Sequence, residues 1–140
     1  MKRKLVVVER AAHRRLKLVN ALRGDFQVEA VEMLDGILRR VRSVRPAMVL
    51  IGVGRRSQQS IRAVHQIKTD GVNPPLVGLI DWDARLADPG AAAQSALADG
   101  VLMGAPSEAN LSEFVSALGT DSVVVMGTPP ARGWRRLLGR

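Results

Sequence analysis

The stretch Pro46-Ala47-Met48-Val49-Leu50-Ile51-Gly52 decides the architecture. An uninterrupted apolar run follows a proline, and no polar residue alternates within it. A strand of that composition is covered on both faces, as the central strands of parallel sheets are. Pro46 separates the run from the preceding segment, because proline cannot continue a helix. Working outward, similar runs recur at regular spacing. Leu5-Val6-Val7-Val8 is short, β-branched and bounded by charge, which reads as a buried strand. Phe26, Val28 and Ala30 alternate with Gln27 and Glu29 at a period of two. Leu76-Val77-Gly78-Leu79-Ile80 and Gly100-Val101-Leu102-Met103 read as two further strands.

Helical patterns fill the intervals. Residues 12–23 set Leu16, Val19 and Leu22 on one face and end at Gly24. Asp35 is placed to cap a helix that buries Ile37, Leu38 and Val41 and turns Arg39, Arg40 and Arg42 outward. Residues 57–69 carry Ile61, Val64 and Ile67 inward. Asp88-Pro89-Gly90 signals the start of a short Ala-rich helix over residues 91–97. Ser107 and Asn110 open a last helix with Leu111, Phe114, Val115 and Leu118 inward, stopped by Gly119. Strand–helix alternation over residues 4–119 predicts an α/β fold. It is a doubly wound, five-stranded parallel sheet of order 2-1-3-4-5, flanked by five helices. Its ligand crevice lies at the carboxyl ends of strands 1 and 3.

The composition sets outer bounds. A chain of 140 residues makes one domain. With no Cys, a disulfide scaffold, a thiolate zinc site and a cysteine nucleophile are excluded. At 46% hydrophobic residues the chain is not disordered overall. No apolar run approaches the roughly 20 residues of a membrane-spanning helix. Met1-Lys2-Arg3-Lys4 is basic, but Leu5–Val8 is too short for a signal peptide, so the expected location is the cytoplasm. The formal net charge is +8, from 21 Lys and Arg against 13 Asp and Glu. The excess sits at the two ends of the chain. Basic termini favour nucleic acid, an anionic membrane or an acidic protein. No nucleic-acid reading motif accompanies them, and aromatics are only 3% of the chain.

Several segments resemble the receiver domain of two-component response regulators, of the chemotaxis-regulator type. Leu5-Val6-Val7-Val8-Glu9-Arg10 resembles the first strand with its acidic pair. Residues 45–52 resemble the strand that presents the phosphorylated Asp, Pro75–Ile80 the strand that ends in Thr or Ser, and residues 98–105 the family's Ala-Asp-Asp-Tyr-Leu-Val-Lys-Pro segment. The resemblance implies a flavodoxin-like fold over residues 1–119. It also implies which positions would carry phosphorylation, and their chemistry departs from the family's. The acceptor position is Gly52, the hydroxyl position Ile80 and the lysine position Gly104. Of the acidic pair only Glu9 remains, beside Arg10, which would repel Mg²⁺. The aromatic switch position is Val101. A pseudo-receiver that cannot take phosphate by the family's route is therefore expected. No enzymatic activity, cofactor or metal is expected.

Other features bear on the same crevice. Asp81 and Asp83 flank Trp82 after the fourth strand, which reads as a solvated loop with an anchoring Trp, with a cation site as the alternative. Gly52-Val53-Gly54-Arg55-Arg56-Ser57 is a glycine-rich turn before a helix, and Arg55 and Arg56 there are candidate anion contacts. His13 and His65 read as surface helix residues, and Met33, Met48, Met103 and Met126 as core fillers. Residues 120–140 form a C-terminal extension: an apolar run Val123–Met126 of unassigned place, a Thr128-Pro129-Pro130 linker and a basic tail. In a helix Trp134, Leu137 and Leu138 would share a face opposite Arg135 and Arg136, which suits an acidic partner groove or an anionic membrane. The expected function is a phosphorylation-independent signalling adaptor. Its partner would be another signalling protein, or a second copy forming a homodimer, through the helix 4/strand 5/helix 5 face. The alternative is a nucleic-acid-associated regulatory protein that uses its basic termini.

Overall fold

The structure is a computed structural model that describes residues 2–120 and 122–127. Its elements alternate along the chain: β1 (Arg3–Val8), α1 (Ala12–Leu22), β2 (Phe26–Val31), α2 (Ile37–Val44), β3 (Met48–Gly52), α3 (Ser57–Lys68), β4 (Leu76–Asp81), α4 (Pro89–Ala96), β5 (Gly100–Met103), α5 (Glu108–Ala117) and β6 (Val124–Gly127). The strands form one sheet in the order β2-β1-β3-β4-β5-β6. All pairings are parallel.

Successive residues of a strand face opposite sides, so each apolar run feeds two cores. Leu5, Val7, Met48, Leu50, Ile80 and Leu102 pack beneath Leu18 and Leu22 of α1 and Leu111, Phe114 and Val115 of α5. Val6, Val49, Ile51, Val77, Leu79 and Val101 pack beneath α2, α3 and α4, where Val41, Val64 and Ala93 face them. Burying each such Val or Leu contributes about 1.5–3 kcal/mol relative to exposure. The helix that follows β1 lies on one face and the helix that follows β2 on the other. The crossovers therefore change sides between β1 and β3, and a crevice opens at the carboxyl ends of those strands.

The sheet has six strands rather than the five expected. Val123–Met126, which the sequence left without a place, extends β5 outward in the register Gly100↔Val124 to Met103↔Gly127. Val123 and Val125 pack against the α4 side, and Val124 and Met126 against the α5 side. The approach of β6 needs glycine at residue 100. A Cβ there would stand 2.8 Å from the Val124 carbonyl oxygen and 2.8 Å from Leu118 Cδ2.

Three local expectations also change. Helix α1 buries Leu18 and Leu22, four residues apart, whereas Leu16 is 60% exposed. Residues two apart do not share a helix face, so Leu16 and Leu18 cannot both point inward. Helix α2 is capped by Gly36 at φ 73, and Asp35 makes no capping bond. A left-handed backbone at that position suits glycine. Met33 is 55% exposed, while Met48 and Met103 are buried as expected. Ser107 and Asn110 do form a reciprocal capping box at α5, and Asp88 accepts from the Ala91 N–H at α4.

Candidate functional site

Glu9 follows β1 and is 6% exposed. Its backbone N–H donates to the Val31 carbonyl at 3.0 Å, and the Ala11 N–H donates to its Oε2 at 3.0 Å. Arg15 Nη1 donates to the Glu9 carbonyl at 2.8 Å. These bonds turn the Glu9 side chain across the end of β1 towards β3. There Gly52 leaves room for it. A methyl group on residue 52 would overlap Glu9 Oε1 and stand 2.9 Å from Glu9 Cδ. The volume a side chain at position 52 would use is therefore taken by a carboxylate from the neighbouring strand.

The remaining expected positions are spread around this pair. Ile80 is registered with Gly52 on β4 and is wholly buried in the core beneath α1 and α5. Gly104 follows β5 at φ 88, and its N–H donates to the Asp81 carbonyl at 3.0 Å. Arg10, Arg55 and Arg56 are exposed on the rim. The positive φ at residue 104 suits glycine, so a lysine there would carry strain as well as charge.

The structure corrects the expectation that Asp81 belongs to a solvated loop. It is the last residue of β4 and fully buried. Its carboxylate accepts from the Arg85 N–H at 2.8 Å and the Leu86 N–H at 2.9 Å, which ties down the following loop. A buried carboxylate needs such donors, because an unpaired charge there is costly. Asp83 accepts from both terminal nitrogens of Arg14, at 3.0 and 2.9 Å. This fork holds the Asp83 carboxyl below the ordinary carboxylate range and pushes Arg14 up. Both carboxylates are thus occupied, and among the described residues no cluster of His, Asp or Glu could hold a metal ion. Trp82 anchors the loop by packing on the α1/α5 core, with Arg14 Cζ 5.0 Å and Lys17 Nζ 5.9 Å from its ring centroids. Arg14 and Asp83 are 69 residues apart, and nothing in the sequence announced their pairing.

Two clefts flank Glu9. One, of about 450 Å³, runs past Arg14, Asp83 and Arg85. The other, of about 410 Å³, runs past Met33, Leu34, Arg56 and Ser60. Arg10, Gly54 and Arg55 line both. His13 and His65 are exposed on α1 and α3. The tail residues Trp134, Arg135, Arg136, Leu137 and Leu138 lie outside the described residues. Among the described residues no helix is long and apolar enough to cross a membrane.

No protein-family model matches the sequence, and no curated protein matches it. Solved structures do match by shape. A protein described as a putative response regulator, from Chloroflexus aurantiacus J-10-fl, superimposes with a TM-score of 0.73 at 14% identity, covering 83% of this chain and 96% of that one. The chemotaxis response regulator CheY4 of Vibrio cholerae gives 0.71 at 12% identity, covering 83% and 98%. The CheY-like protein tadZ from Pseudomonas aeruginosa PAO1 gives 0.69 at 17% identity, covering 84% and 100%. The chain has the flavodoxin-like α/β fold of response-regulator receiver domains, with a sixth strand added to its sheet.

Proposed function

We propose that this chain is an atypical receiver domain, of the chemotaxis-regulator type, that acts without accepting a phosphoryl group. It works as an interaction module in cytoplasmic signalling and has no enzymatic activity of its own. The observation that carries this reading is the Gly52–Glu9 pair. The acceptor strand ends without a carboxylate, and the Glu9 side chain fills the space where one would project. Phosphoryl transfer also needs cations on the phosphoryl oxygens and a metal held by oxygen ligands. Gly104 offers no cation, Ile80 no hydroxyl, and the Glu9 carboxylate is turned onto the Ala11 N–H.

The partner in this reading is another signalling protein or a second copy of the chain. The surface it meets is built from α4, β6 and α5, since β6 now lies along β5 between those helices. Leu97, half exposed at the end of α4, belongs to that surface. The test treats the full chain with acetyl phosphate and Mg²⁺ and reads its intact mass. No added phosphoryl group is expected, and a covalent phosphoryl adduct would sink the phosphate-independent reading. Gly52→Asp treated with acetyl phosphate is expected to stay unmodified, because Ile80 and Gly104 remain.

A further inference from the structure

We infer that the crevice between Arg10 and Arg55 binds a small phosphate-bearing anion without covalent transfer. The inference goes beyond the interaction reading and stands on the crevice alone. Its position is the point where the crossovers change sides, and open α/β sheets take ligands there. Its clefts, about 410 and 450 Å³, are of small-molecule size.

The charge balance favours an anion. Four carboxylates reach the clefts: Glu9, Glu32, Asp35 and Asp83. Asp83 is held by Arg14 in a two-pronged pair and lies 3.4 Å from Arg85. Glu32 lies 4.0 Å from Arg15, and the Glu9 carboxylate is buried against Gly52 and the Ala11 N–H. Asp35 alone is left to oppose Arg10, Arg55 and Arg56, which have no ion-pair partner among the described residues. Guanidinium groups present planar pairs of donors that match phosphate oxygens.

Gly54 points the same way independently of charge. It lines both clefts. A Cβ added to it would meet nothing within 4 Å, and its φ is not in the left-handed range. Neither packing nor backbone conformation requires glycine there. A ligand lying against the backbone at residue 54 would use the space that the missing side chain leaves.

The experiment titrates the full, isotope-labelled chain with inorganic pyrophosphate at constant ionic strength. The expected result is a saturable shift of the amides of Arg10 and residues 52–57. The double variant Arg10→Gln/Arg55→Gln is expected to weaken binding by at least about tenfold. Gly54→Leu, which leaves every charge in place, is expected to weaken it comparably, and Arg39→Gln on α2 to leave it unchanged. A parallel titration with ADP separates the sources. Tighter binding of ADP assigns a nucleotide, and equal or weaker binding assigns a free phosphate anion. The proposal is overturned if the crevice amides do not shift. It is overturned equally if the shifts map elsewhere, if Gly54→Leu binds as the parent does, or if Arg39→Gln weakens binding as much as the crevice variants.

Discussion

Gly52 and Gly100 both stand at strand ends with neighbours occupying the volume of their missing side chains, but the neighbours differ in kind. At Gly100 the volume is filled by the Val124 carbonyl of β6 and by the side chains of Leu118 and Phe114. At Gly52 it is filled by the terminal carboxylate of Glu9. The first set is backbone and tightly packed core, which resist displacement. The second is the end of a side chain on the wall of a crevice, which can swing away. One glycine therefore serves the fold and the other serves the site.

Gly100→Ala is the sharpest way to break this contrast. Relief of its overlap requires β6 or α5 to move, so a loss of about 3 kcal/mol is expected in denaturant unfolding. A loss within error would show that β6 contributes little. Gly52→Ala should cost less, about 1 kcal/mol, the value of the displaced bond between Glu9 and the Ala11 N–H. Combined with Glu9→Ala, the same substitution should add almost nothing, because the overlapping atoms are gone. Additive costs would show that residue 52 is constrained by something other than Glu9. The smallest effect concerns Asp83. The Arg14 fork lowers the Asp83 pKa in the folded state. A lowered carboxylate pKa adds stability above the unfolded value and loses it as pH falls through the folded value. The difference in Tm between the parent and Asp83→Asn should therefore be greatest near neutrality and vanish in acid. With the Asp83 side chain 38% exposed the difference will be small, and it will shrink further in salt.

Much of the fold was legible because the parallel sheet is buried on both faces. The buried stretches of β1, β3, β4 and β5 are then apolar runs that cannot be confused with a surface segment, whereas the edge strand β2 shows a period of two. Ala47–Ile51 alone identified the centre. The sixth strand was harder to read. Val123–Met126 has the composition of a strand, but its partner, the outer edge of β5, exists only after the sheet is assembled. Leu16 misled for a different reason: a spacing of three and a spacing of four both describe a helix face, and packing chose Leu18 and Leu22. At the site, the lack of a side chain at Gly52 was visible in the sequence. The occupation of its place by Glu9 was not, since it depends on a side chain from another strand. The Asp81 bonds to the Arg85 and Leu86 amides were hidden likewise, because backbone donors leave no mark on residue identity.

The sixth strand has a consequence for how the molecule is handled. All of Gly100–Met103 is buried, and no residue of β5 is charged or proline. Open strand edges of that kind recruit other chains, and natural sheets guard against it. Here Val124–Gly127 pairs along the full length of β5 and covers that edge. A fragment cut at residue 119 would keep all five helices yet present a bare, apolar template for strand addition. Its expected fate is self-association rather than a smaller soluble domain.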